Sequence, residues 1–227
     1  MTISDIQKIK LDSNKDIFDA LHKISSENKY KEIVISAAGP VSENKISMTN
    51  RNLEINATDL EKELSVNKCY LLNDWESIGY SLPLMTHKDF KNIKKGNIDS
   101  SQTCLAIGPG TGLGFSVLRH IGNIPYVYPT ELGNTRSFND NLSKLFEIKN
   151  SQNFNVLEDY LSGTGIKKIY AEKSGKNLTA EEIVSRYHED DLASFVLNNF
   201  VVAINNILQD LALTFNAKGG IFFAGSL

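Results

Sequence analysis

Between Ala106 and Phe115 the chain reads Ala-Ile-Gly-Pro-Gly-Thr-Gly-Leu-Gly-Phe, with Gly108, Gly110, Gly112 and Gly114 alternating around Thr111. Glycine lets another group approach the backbone closely, and successive exposed N–H groups form a concavity suited to an anion such as phosphate. Two common phosphate loops are excluded by spacing. The dinucleotide fingerprint needs a glycine where Leu113 stands, and a Walker loop needs a Gly-Lys pair. Taken alone, the segment reads equally as a bare hairpin turn or a phosphate site, because glycines also cluster at turns.

Other segments carry polar groups of a kind that can act on a substrate. Leu71-Leu-Asn-Asp-Trp75 ends an apolar run on Asn73 and Asp74. A carboxylate in that position suits a general base that takes a hydroxyl proton, and it equally suits a helix cap. Pro129-Thr-Glu-Leu-Gly-Asn134 sets the carboxylate of Glu131 three residues before the amide of Asn134. Leu157-Glu-Asp-Tyr-Leu-Ser-Gly-Thr-Gly165 presents Glu158 just before a Ser-Gly-x-Gly turn, and Gly219-Gly-Ile-Phe-Phe-Ala-Gly225 closes the chain. Fixed acceptors and donors of this kind recognise adjacent hydroxyls and reject analogues that leave them unpaired. Taken singly, Glu131 also reads as an ordinary loop acid and Glu158 as a helix-face charge.

In order and interval these segments resemble the bacterial glucokinase family, and Ala38-Gly-Pro-Val41 followed by Ser47-Met-Thr-Asn50 extends the resemblance over essentially the whole chain. The resemblance implies an α/β, actin-like (ribonuclease H-like) ATPase sugar kinase fold in two domains. It sets a small α/β domain at residues 1–103 and a large one at 104–227. The activity implied is phosphoryl transfer from ATP to the 6-hydroxyl of D-glucose, with Mg²⁺ bound through the ATP phosphates. Asp74 matches the family's catalytic Asp, the base, and Asn50, Asn73, Glu131, Asn134 and Glu158 match sugar-binding positions. Gly108, Gly110, Thr111, Gly112 and Gly225 match the nucleotide and phosphate side. Glucose and ATP are the partners implied, with a homodimer for the complete family member.

The chain departs from the family pattern in two ways. Where the family reads Glu-Gly-Gly-His, this chain has Glu131-Leu-Gly-Asn134, so an amide stands for an imidazole and the sugar preference is open to change. Residues Met1 to Asn14 contain no glycine, whereas the family begins with an Asp-x-Gly-Gly-Thr hairpin. Ser226 replaces the second glycine of the family's closing Ala-Gly-Gly turn. The expectation is a chain truncated at both ends. A second reading follows, of a catalytically inactive sugar-binding or interaction protein derived from such a kinase.

Composition sets the frame for these motifs. The 227 residues suffice for one large domain or two small ones, with material for a core. A net charge of -3 argues against a nucleic-acid or membrane-surface partner. Cys69 and Cys104 both lie in apolar runs and read as buried free thiols of a reducing compartment. With no apolar signal region at Met1–Leu11 and no apolar run near ~20 residues, the expectation is a cytoplasmic protein.

The elements that must position these residues are partly legible. Ile17, Leu21 and Ile24 share one helical face, Glu32–Ala37 and Lys68–Leu72 read as strands, and a helix follows Asp74 until Pro83. Thr58 with Glu61 and Thr179 with Glu182 read as capping boxes. Residues 190–216 predict a long, largely buried helix, and Gly220–Ala224 a closing strand. Both Glu32–Ala37 and Gly220–Ala224 are near-continuously apolar, which predicts strands covered on both faces.

Overall fold

The protein is described here by a computed structural model covering residues 6–10, 12–27, 29–48, 53–86, 88–94, 96–97, 99–136 and 138–225. It divides into two compact units, Met1–Ser77 and Ile78–Leu227. The division falls at 77/78, whereas the sequence expectation set it at 103/104.

The first unit runs α1 (Asn14–Glu27), β1 (Glu32–Ala37), β2 (Val41–Ser42), β3 (Lys45–Met48), β4 (Leu53–Asn56), α2 (Ala57–Glu63), β5 (Lys68–Asn73) and the start of α3 (Asp74–Ser81). Strands β1 and β5 pair in parallel, from Glu32 opposite Lys68 to Ala37 opposite Asn73. Strands β2, β3 and β4 form a separate antiparallel sheet. Ile46, Ile55, Leu60 and Cys69 are buried together, with Phe18 and Leu21 of α1 and Ile33 and Ile35 of β1 packed against them.

Two local expectations fail here. Helix α2 is capped by Asn56, whose Oδ1 accepts from the Thr58 and Asp59 N–H groups at 2.9 and 3.4 Å. Glu61 turns instead to β5, accepting from the Cys69 N–H at 3.0 Å and pairing with Lys68 at 3.2 Å. Nor is β1 covered on both faces. Its residues alternate between exposed and half-buried, so Ile33 and Ile35 meet the core while Val34 faces away.

The second unit carries the rest of α3, then β6 (Cys104–Pro109), β7 (Leu113–Ile121), β8 (Ile124–Pro129), α4 (Asn139–Leu145), α5 (Gly163–Ser174), α6 (Ala180–Ser185), α7 (Asp191–Phe215) and β9 (Gly220–Phe223). The sheet order is β8-β7-β6-β9, with β9 parallel to β6 and the other pairs antiparallel. Leu105, Ile107, Phe115 and Val117 of the sheet share one core with Ile166 and Ile169 of α5 and Val196, Ala203 and Ile207 of α7. Strand β8 carried no sequence expectation, because its Pro125 and Pro129 weaken a strand pattern.

Helix α7 matches its expected span, opened by Asp190 and closed by Asn216 in a left-handed conformation. Its burial is one-sided: Val201, Val202 and Leu213 are exposed on the face away from the core. By length and composition alone this helix is apolar enough to cross a membrane, and it packs as the core helix of this unit. The expected capping box of α6 is present, with Thr179 and Glu182 exchanging hydrogen bonds at 3.2 and 2.7 Å. Strand β9 alternates like β1, leaving Phe223 exposed. Cys69 and Cys104 are buried and free, and burial pushes both thiols above their ordinary range.

Candidate active site

The expected site residues fall in both units. Asn73 and Asp74 belong to the first, at the point where β5 gives way to α3. Asn73 stands where an N-cap should, and its Oδ1 accepts from the Trp75 N–H at 2.9 Å. Its Nδ2 donates to the Gly39 carbonyl at 3.1 Å. The capping task therefore falls to Asn73. Asp74 is the first helical residue, half-buried, with Oδ1 3.0 Å from the same Trp75 N–H.

Glu76 is a neighbour that sequence reasoning passed over. Its carboxylate accepts from the Asn73 N–H at 3.3 Å and so helps fix the turn that presents Asp74. Burial pushes the Glu76 carboxyl above the usual carboxylate range, with the Asn73 N–H opposing that shift. The signal was available in its position, two residues into a helix whose N-terminal N–H groups need acceptors.

The second unit gathers three of the expected motifs around one hairpin. Gly108 pairs with Gly114 and Pro109 with Leu113, so Gly110–Gly112 is the turn itself, closed by the Gly110 N–H donating to the Gly112 carbonyl at 2.8 Å. Space is open beside Gly110 where a side chain would stand. The segment after Glu158 docks on this turn through its backbone and one hydroxyl. The Gly163 N–H donates to the Gly110 carbonyl at 2.8 Å, and the Thr164 hydroxyl donates to the Thr111 carbonyl at 2.8 Å. Glu158 itself accepts from the Leu113 N–H at 3.3 Å.

What read as a Ser-Gly-x-Gly turn is the first turn of α5. Ser162 caps it, accepting from the Gly165 N–H at 2.9 Å and donating to the Glu158 carbonyl at 2.6 Å. The short 3-10 turn Leu157–Asp159 carries Glu158 and is locked by Asp159. Asp159 accepts from the Asn155 and Val156 N–H groups at 2.9 and 3.0 Å and pairs with Lys168 of α5. Burial pushes the Asp159 carboxyl up, but the Lys168 ammonium and the two N–H groups outweigh it and hold the carboxyl below the usual range. Ser162, Asp159 and Lys168 escaped sequence reasoning because their partners are set by how α5 meets the preceding turn.

Glu131 precedes a second 3-10 turn, Leu132–Asn134, and Asn134 ends it. The Asn134 amide donates to Glu131 Oε2 at 3.0 Å, so the substituted amide holds the neighbouring carboxylate. Gly133 between them lies against the Leu113 carbonyl and the Glu158 carboxylate. Gly225 follows β9 alongside Gly108 and Pro109, which brings the closing glycine to the end of β6. Asn50 lies outside the described residues. Among the described residues no three His, Cys, Asp or Glu side chains converge as a metal site.

A second unit in which a glycine hairpin, two acids and a capped helix meet invites comparison with known proteins. The glucokinase family model matches residues 2–227. The chain belongs to the glucokinase family. A glucokinase of Colwellia psychrerythraea is 30% identical over 218 residues, covering 88% of this chain and 66% of that relative. One from Saccharophagus degradans is 27% identical over 210 residues, covering 88% and 65%. The chain thus spans about two-thirds of the length of these relatives, 66% and 65%. Among solved structures, a glucokinase from an Antarctic psychrotroph superposes with a TM-score of 0.79 at 24% identity, covering 96% of this chain and 71% of that one. A Balamuthia mandrillaris glucokinase in complex with glucose gives a TM-score of 0.71 at 18% identity, with 96% and 71% covered. The fold is that of the actin-like sugar kinases, as expected from the glucokinase family resemblance.

Proposed function

We propose that the protein acts as a glucokinase, moving the terminal phosphoryl group of ATP to the 6-hydroxyl of D-glucose. The observation that carries this reading is the meeting of Glu158 with the glycine hairpin at Leu113, which sets a carboxylate suited to sugar hydroxyls beside backbone suited to phosphate. Phosphoryl transfer asks mainly for positioning and charge stabilisation, with a group to receive the hydroxyl proton.

The roles follow residue by residue. Asp74 takes the proton of the attacking hydroxyl as its oxygen bonds to phosphorus. Glu131, braced by Asn134, and Glu158 accept hydrogen bonds from sugar hydroxyls, and Asn50 and Asn73 are further sugar ligands. The open side of Gly110 leaves room for a phosphate oxygen to approach the turn, while the Gly110 N–H itself is taken by the Gly112 carbonyl. Thr111 and Gly112 complete that turn, and Gly108 and Gly225 stand side by side behind it. Magnesium would be carried by the ATP phosphates, where it neutralises the charge that develops on the transferred group. Two buried free thiols fit a reducing, cytoplasmic setting, and a homodimer is inferred from the family.

The test is the folded 227-residue chain assayed with ATP, Mg²⁺ and glucose for glucose 6-phosphate, beside calorimetry with each ligand. Product formation supports the kinase. Glucose binding without product supports the inactive sugar-binding protein instead. Binding of neither ligand by well-folded protein overturns both.

A further inference from the structure

The glycines of the hairpin turn do different work. At Gly110 nothing stands within 4 Å of where a Cβ would be, whereas at Gly112 that position lies 2.7 Å from Glu158 Oε2. A Cβ on Gly133 would stand 3.0 Å from the same oxygen and 2.8 Å from the Leu113 carbonyl. The Glu158 carboxylate therefore occupies a slot walled by two glycines and closed by the Leu113 N–H.

The turn itself does not require glycine at 112. Gly112 and Gly133 are both absent from the glycines with positive φ, so neither backbone lies in the left-handed region that favours glycine. Among the described residues, the atom in the way at Gly112 is Glu158 Oε2, with Cδ of the same carboxylate at an ordinary contact distance of 3.6 Å. The backbone that carries this carboxylate is held as well, with the Ser162 hydroxyl donating to the Glu158 carbonyl and Asp159 accepting from the Val156 N–H. From this geometry we infer that Gly112 is a positioning residue for the sugar side, seating the Glu158 carboxylate by leaving room for it. This rests on the reading of Glu158 as a sugar ligand. The hairpin thus offers open backbone at Gly110 and a carboxylate seat at Gly112, so one turn orders both substrates' contacts.

Gly112→Ala, Glu158→Ala and the double variant test this, with Gly96→Ala as a control at a glycine that has open space around it. Calorimetry with glucose should show Gly112→Ala weakening affinity roughly ten- to a hundredfold, the range for losing one charge-assisted hydrogen bond. The double variant should bind no more weakly than Glu158→Ala alone, because two residues acting through one carboxylate are not additive. Gly96→Ala should leave affinity unchanged. Melting temperatures of the same four proteins give a readout that needs no sugar. Gly112→Ala should lower the melting temperature when Glu158 is present and have little effect when it is Ala. An equal loss in both backgrounds, or unchanged glucose affinity in Gly112→Ala, overturns the seat. A wild-type chain that binds no glucose overturns the sugar reading and the ligand given to Glu158, and non-additive melting would still support the seat.

Discussion

The side-chain amide of Asn73 bridges to Gly39, donating to its carbonyl at 3.1 Å, while its oxygen accepts from the Trp75 N–H at 2.9 Å. One residue thus ties the end of β5 to the turn after β1 and opens α3. A residue matched to sugar binding is here also a structural clasp. Both tasks depend on the amide's having a donor and an acceptor on one short side chain.

Asn73→Asp keeps the acceptor for Trp75 but faces a second oxygen toward the Gly39 carbonyl. Losing that donor should lower stability by about 1–3 kcal/mol in urea denaturation. Unchanged stability would show that the amide is free to serve a ligand alone.

Asp74→Asn removes the proton acceptor and keeps the shape. Turnover should fall by roughly 10²–10⁴ if general-base help is the main loss. Glucose affinity should change far less, and stability little, because Asn73 holds the start of α3. Near-normal turnover in the variant would assign Asp74 no part in proton transfer.

Asp159 predicts a specific acid sensitivity. Its folded-state carboxyl lies below the ordinary range, so the folded form binds the proton less readily than the unfolded chain. The stability it contributes is fully present above the unfolded carboxyl value of about 3.9 and is lost as pH falls through the lower folded value. Asp159→Asn should therefore melt below wild type at neutral pH, with the gap closing as pH drops below about 4. A gap that stays constant across that window would rule out the Lys168 pairing as its source.

Val34 and Tyr70 stand opposite each other across β1 and β5, 61% and 45% exposed. Adjacent exposed apolar side chains on a two-stranded sheet favour association through that face. Sedimentation velocity should show concentration-dependent self-association, reduced in the Val34→Thr, Tyr70→Thr double variant. A wild-type chain that stays monomeric across the concentration range would leave this face without that role.

The sequence alone determined the elements whose signals are local. Helix α7, the Thr179–Glu182 box and the hairpin at Gly110–Gly112 were all legible, because caps, turns and helical faces are written within about four residues. Asp74, Glu131 and Glu158 were legible as candidates from residue type and order. Only the tertiary structure decided how such residues are used. Asn56 took the cap expected of Thr58, while Glu61 meets the Cys69 N–H and Lys68. Strands β1 and β9 read as doubly covered, yet each alternates, since strand composition does not say what lies on either face. Glu158 meets the Leu113 N–H across 45 residues, and only that fold reveals why Gly112 and Gly133 have no side chain. Local patterns specify what a segment can become, whereas a carboxylate's seat depends on the backbone that other elements bring to it.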